Sequence, residues 1–251
     1  MYMKKVLLAG ESFFRHETHV KGFDAFYTNH YEESAGQFKK AVVDAGYELD
    51  YLPCHMVPSQ FPYSADEMSE YAAIVISDVG ANSLLLSDDT FYKGKFLGNR
   101  CDEIAKYVAQ GGAFLMIGGY LSFSGIDAKG YYSQTAINQI LPVEIQNVDD
   151  RVETPEGVKG NNVLDHPILS DISEWPRFLG YNKTKLRDLD TVQELVEING
   201  DPLIAIREYE KGRTAVFTSD CAPHWGSPEF MEWDYYSKMW GQLLNWLTKS
   251  S

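Results

Sequence analysis

Four short, largely apolar runs punctuate the chain: Val6 to Ala9, Ala72 to Ser77, Ala113 to Ile117 and Thr214 to Ser219. Each stops abruptly, at Gly10, Asp78, Gly118 and Asp220. Runs this short, each ended by a breaker or an acid, read as strands buried on both faces rather than as helices. Between them lie stretches of helical period. Ala35, Phe38, Val42 and Ala45 share one face of a helix that opens on a capping-box pattern of Ser34 and Gln37 and ends at Gly46. Cys101, Ile104, Ala105 and Val108 recur in the same way before Gly111 and Gly112. Buried strands alternating with amphipathic helices require a mostly parallel sheet covered on both faces, an α/β fold.

Other segments fill in the order. Glu48 to Leu52 alternates as a strand stopped by Pro53. Beyond Pro142 the pattern loosens into a polar stretch with Asp149, Asp150, Arg151 and Glu153, which reads as a solvated loop with Arg151 as internal counter-charge. Val192 to Ile198 is a strand, and Asn199–Gly200 is a strong hairpin turn. Leu203 to Tyr209 and Thr214 to Ser219 flank Lys211 and Gly212 as a second hairpin, so antiparallel strands join the sheet near the C-terminus. The last helix buries Tyr236, Trp240, Leu243, Leu244 and Leu247. With 251 residues, 44% of them hydrophobic, the chain can bury one large core, and residues 1–251 read as one domain.

A formal charge of -14 repels phosphate backbones and anionic headgroups, so neither nucleic acid nor membrane is expected as a partner. Cys54, Cys101 and Cys221 are odd in number and widely spaced, which argues against a disulfide framework. The run after Lys4 and Lys5 is too short for a signal-peptide core. A cytoplasmic location is the expectation.

In an open parallel sheet, ligands bind beyond the carboxyl ends of the strands. Four strand exits therefore carry the candidates. The first supplies Glu11, Ser12 and Arg15, with His16 and His19 beyond, and the second supplies Asp78. The third is the glycine corner Gly118–Gly119, followed by Tyr120 and Ser122, which can present N–H groups to an anion or serve as a plain tight turn. The fourth holds Asp220, Cys221, His224 and Trp225. A carboxylate, a thiol and an imidazole so close in sequence suit a thiolate pair, a metal site or an acid/base group, or simply a buried thiol with a locally bonded histidine. No second ligand pair has metal spacing, so neither a metal nor a cofactor is expected.

The stretches GGYLSFSG (118–125), LPVEIQNVDDRVE (141–153) and SDCAPHWG (219–226), with the order of elements, resemble a bacterial cytoplasmic family labelled "putative glutamine amidotransferase", within the class I glutamine amidotransferase-like superfamily. The resemblance covers nearly the whole chain and implies a flavodoxin-like three-layer sandwich. Full members of the superfamily carry a cysteine at the strand-to-helix elbow and a downstream histidine followed two residues later by glutamate. Here the elbow is Gly118, Gly119 and Tyr120, and His224 is followed by Trp225 and Gly226. Glutaminase chemistry by a thiolate route is therefore not expected. The chain looks more like the cysteine-free branch that includes trehalose-utilisation-type proteins.

Two functions remain in view. One is a small-molecule hydrolase or lyase-type site with His224 as acid/base, Asp220 as its partner and the glycine corner donating N–H groups. The other is a non-catalytic small-molecule-binding or homo-oligomeric assembly protein.

Overall fold

The structure, a computed structural model, describes residues 3–250. Its strands are β1 (Lys5–Gly10), β2 (Ser12–Lys21), β3 (Asp24–Glu33), β4 (Glu48–Leu52), β5 (Ala73–Ser77), β6 (Ala113–Ile117) and β7 (Val143–Glu144). They continue as β8 (Arg151–Asn162), β9 (Arg177–Asn182), β10 (Lys185–Leu186), β11 (Val192–Ile198), β12 (Asp201–Tyr209) and β13 (Gly212–Phe217). Nine strands form one mixed sheet in the order β4-β1-β5-β6-β13-β12-β11-β8-β9. The first five are mutually parallel, and the remaining pairings are antiparallel. The expected α/β architecture with antiparallel strands at one end is present.

Strand alternation divides the core between the two sheet faces. Val6, Leu8, Val75 and Leu115 join one cluster with the helices Gly36–Asp44 and Tyr236–Leu247. Leu7, Ala9, Ile76 and Met116 join the other with the helix Arg100–Ala109. Because β1, β5 and β6 are apolar on both sides, a helix layer on each face removes them from water. On the first face Phe38 meets Trp240 edge-on with ring centroids 4.8 Å apart.

Both sequence-read hairpin turns are present. Asn199 and Gly200, both at positive φ, join β11 to β12, as a two-residue turn matched to strand twist requires. The helix start differs from expectation. Ala35 caps Gly36–Asp44 without a side-chain bond, and the Gln37 amide instead reaches the Met231 carbonyl at 2.8 Å.

Two regions depart further. Residues 12–33, read as a polar strand exit, are a ten-by-ten-residue antiparallel ribbon, β2–β3, separate from the main sheet. The polar stretch after Pro142 is not a solvated loop, since it contains β8, whose residues pair with both β9 and β11. Arg151 does pair with Asp149 at 2.7 Å, but Asp150 is buried and serves the site described below.

A buried arginine ties the second face together. The Arg100 guanidinium donates to the carbonyls of Leu84 (2.7 Å), Ser83 (2.7 Å), Val57 (3.1 Å), Pro58 (3.3 Å) and Phe61 (3.4 Å). Its charge is balanced by carbonyl dipoles, and removing it strands several carbonyls in the interior. Arg100→Leu should cost about 3 kcal/mol and lower Tm by roughly 6–12 °C, with Arg100→Lys losing less because an ammonium restores part of the donor set. Thermal melts followed by circular dichroism test this, and a loss below about 1 kcal/mol for the leucine variant would rule out the clamp.

Candidate functional site

The parallel strands end on one edge of the sheet, and β1 and β5 flank the point where the chain switches sides. Gly10 closes β1 at φ 124°, and an added Cβ there would lie 1.6 Å from the Ser77 carbonyl oxygen, so only glycine lets the two strand ends approach this closely. The next residue, Glu11, turns at φ 52° and donates its N–H to that same carbonyl at 3.1 Å. Its side chain is thereby directed inward, where Ser77 Oγ donates to Glu11 Oε1 at 2.5 Å.

Asp78 follows Ser77 at φ 47°. Ser122 Oγ accepts its N–H at 3.0 Å, and its own Oδ1 accepts the Leu121 N–H at 2.7 Å. Asp220 leaves the β13 end and accepts the Ala222 N–H at 2.8 Å. Glu11, Asp220 and Cys221 each place one donor atom within 4.8 Å of the others. Asp78, half-buried at the second strand exit, adds a third carboxyl whose charge acts on both Glu11 and Asp220.

Their protonation follows from that crowding. Burial, then the nearby Asp78 charge, pushes Glu11 up to about 8. Burial also raises Asp78, opposed by the N–H groups of Leu121 and Tyr120 and by His224. Asp220 is driven well above the carboxylate range by burial and by the charges of Glu11 and Asp78. Like charges this close cannot all ionise, so the cluster retains at least one proton at neutral pH.

The glycine corner does bind a carboxylate, and that carboxylate is the protein's own. The Leu121 and Tyr120 N–H groups serve Asp78, while those of Ser124 (2.9 Å) and Gly125 (2.8 Å) serve buried Asp150. Asn182 ties the corner's backbone to Asp150, donating to Asp150 at 2.8 Å and accepting from Gly119 N at 3.0 Å. A Cβ on Gly119 would sit 2.8 Å from Asp78 Oδ1, and one on Gly118 would sit 2.1 Å from the Thr218 carbonyl. Neither elbow glycine can become cysteine without displacing the strand ends or Asp78. Burial also raises every thiol, Cys54 to about 11, Cys101 to about 12 and Cys221 well above the usual thiol range, so no thiolate forms near neutral pH.

His224 is exposed at φ 129°, edge-on to Tyr120 at 4.5 Å and alongside buried Trp225 at 5.5 Å. Glu153 accepts from Tyr120 OH at 2.8 Å and from Trp225 Nε1 at 3.0 Å, fixing both rings. Asp220 is buried and turns inward, whereas His224 is exposed and acts to lower Asp78.

A cavity of about 380 Å³ opens beside Asp78, lined also by Ser12, Phe13, Phe14, Cys54, His55 and Leu121. Ser12 Oγ accepts the Cys54 N–H at 2.9 Å, and the Cys54 thiol reaches the Asp78 carbonyl at 3.5 Å. Arg15 is not brought to this site. It lies on the exposed ribbon, paired with Glu17 and Glu32 at 2.9 Å each. His16 and His19 lie on the ribbon too, bonded to Asn29 and Thr28. Sequence reasoning set His55 aside, because neighbours in extended chain diverge, and missed Asn182 and the internal role of Asp150. His55 is held by Phe14 and Tyr31, each 5.2 Å away, through a ribbon whose existence was not read.

Comparison with known proteins bears on this arrangement. Residues 5–249 match the family described as "Putative glutamine amidotransferase". A cytoplasmic protein of Salmonella typhimurium, STM3548, is 44% identical, with a TM-score of 0.93 over 96% of this chain and 98% of its own. A second, STM1381 from Salmonella typhimurium LT2, is 45% identical with the same TM-score over 97% and 99%. A ThuA-like protein of Parabacteroides merdae shares the fold at 11% identity and a TM-score of 0.54, over 99% of this chain and 91% of its own. Curated proteins gave no match. No helix among the described residues is long and apolar enough to cross a membrane. Matched along nearly its full length by the family and by both Salmonella proteins, the chain belongs to the glutamine amidotransferase-like family.

Proposed function

We propose that this chain is a cytoplasmic acid–base enzyme of the hydrolase or lyase type, acting on an uncharged or cationic small molecule rather than on a glutamine amide. The observation that carries the reading is the convergence of Glu11, Asp78 and Asp220 at the switch point, with Asp78 alone of the three lining the cavity. A carboxyl whose burial favours its protonated form, as Asp78's does, can deliver its proton to a leaving group. His224, on the solvent side of Asp78, would exchange the proton with water, and Glu11 and Asp220 behind it hold the reservoir. Aromatic walls from Phe13, Phe14 and His55 suit an apolar or ring-bearing substrate face, and the acidic surroundings disfavour anions.

The architecture supports the placement. Counted along the chain, the parallel strands run 2-1-3-4-5, the order of flavodoxin-like three-layer sandwiches, whose ligands sit at the switch between strands 1 and 3. One match across residues 5–249 supports treating the chain as a single domain, and the two Salmonella proteins described as cytoplasmic support that location. The exposed aromatic ribbon favours assembly as a second reading, which does not exclude the first.

Two outcomes are expected. The fold holds a proton on Glu11 up to about pH 8, whereas the unfolded chain releases it near 4.5. Stability from this group is therefore full below the lower value and is lost as pH rises through the upper one. Wild-type Tm should fall by roughly 8–16 °C between about pH 5 and 8.5, and Glu11→Gln should flatten much of that slope. Equal slopes in the two proteins would remove the shared-proton cluster.

The second outcome concerns binding, in a thermal-shift screen against neutral sugars, amino acids, carboxylates and divalent metals. A ligand at about 100 times its Kd adds about 2.7 kcal/mol, seen as a Tm rise of roughly 5–10 °C. His224→Ala and Asp78→Asn should each abolish the shift for one neutral or cationic compound. A screen with no stabilising compound, or one whose hits survive both substitutions, would overturn the assignment.

A further inference from the structure

His224 holds a backbone conformation that costs free energy. Its φ of 129° lies in a region that glycine enters freely and a residue with a side chain rarely does. The imidazole is exposed, so burial of its own ring does not offset that strain. A strained residue persists only where its surroundings over-determine it. Here the surroundings are two rings. Tyr120 meets the imidazole edge-on at 4.5 Å, and Trp225, only 1% exposed, lies alongside it at 5.5 Å.

Both rings are held from one strand. Arg151 and Glu153 stand two apart at the start of β8 and so share a face of it. Arg151 is anchored on Asp149 by bonds of 2.9 and 2.7 Å, and its guanidinium covers the Tyr120 ring, 4.9 Å from the centroid. One carboxylate oxygen of Glu153 accepts from the Tyr120 hydroxyl at 2.8 Å, and the other accepts from Trp225 Nε1 at 3.0 Å. Strand register explains how one side chain reaches the indole. Glu153 pairs with Gly180 across β8 and β9, and a Cβ on Gly180 would lie 2.2 Å from Trp225 Nε1. The missing side chain on β9 is the niche that the indole fills, next to the Glu153 carboxylate. Tyr120 also carries the effect toward the cavity, because its N–H and that of Leu121 hold Asp78.

We infer that Glu153 is a positioning residue for His224: by holding Tyr120 and Trp225 together it keeps the imidazole in its strained place over the corner that carries Asp78. The inference deepens the acid–base reading and rests on it for what the imidazole does there. Without Glu153 the buried indole N–H loses its acceptor, and the ring that backs the imidazole is free to shift.

The test is carbon-resolved proton NMR of the full chain without ligand, the His224 ring signals being assigned by their absence in His224→Ala. In the wild type the ring currents of Tyr120 and Trp225 displace those signals from the positions of a freely exposed histidine. Glu153→Ala should lose more than half of that displacement with unchanged circular dichroism, since the substitution lies on an exposed position. Glu153→Gln should keep most of it, because its amide oxygen accepts from Trp225 Nε1 while its amide N–H donates to the Tyr120 hydroxyl. A purely structural role would move Tm and leave these signals in place. Signals unchanged in Glu153→Ala overturn the inference, and so does a glutamine variant that loses as much as the alanine one. A failure of the acid–base reading shows instead in the thermal-shift screen, so the two are told apart.

Discussion

The contact between Gly10 and the Ser77 carbonyl sets the geometry of the whole carboxyl edge. With no side chain at position 10, β1 and β5 leave the sheet close enough for Glu11 N–H to bond across to Ser77. That bond folds the Glu11 carboxyl inward instead of toward solvent, where a single hydroxyl donor and no cation leave burial to favour its protonated form. The same crowding raises Asp78 and Asp220. A backbone approach, requiring one missing methyl, thus becomes an electrostatic property of three side chains.

The parallel half of the fold was legible because its strands are apolar on both faces and end at breakers, a pattern few other structures produce. Val6–Ala9 and Ala113–Ile117 are read almost to the residue. The ribbon at 12–33 was not, because a sheet exposed on both faces shows no burial period, and Phe13–Phe14 beside Arg15 and His16 has no inside to point to. The strand β8 escaped for a related reason, since its twelve residues include Pro155, Gly157 and Gly160 and few are buried. Of the site, Glu11, Asp78 and Asp220 were found by position at strand exits. Their mutual arrangement depends on strand order, and so the inward turn of Asp220 away from exposed His224 was not readable from spacing.

Membership of the glutamine amidotransferase-like family makes the elbow informative. The space where an elbow side chain would project is occupied by the Asp78 carboxyl, and the N–H groups around the corner are committed to Asp78 and Asp150. An elbow side chain and the Asp78 carboxyl would exclude each other, so this edge is acid-centred rather than thiol-centred.

The position of β13 has a consequence for biosynthesis. It is the last strand of the chain, yet it lies in the middle of the sheet, between β6 and β12. Until residues 212–217 leave the ribosome, the entirely apolar edge of β6 has no partner on that side. At about 5–20 residues per second, the roughly 95 intervening residues leave that edge open for about 5–20 s. During translation the nascent chain therefore presents a sticky strand edge that the finished protein conceals completely, and it is in this interval that chaperone contact matters most.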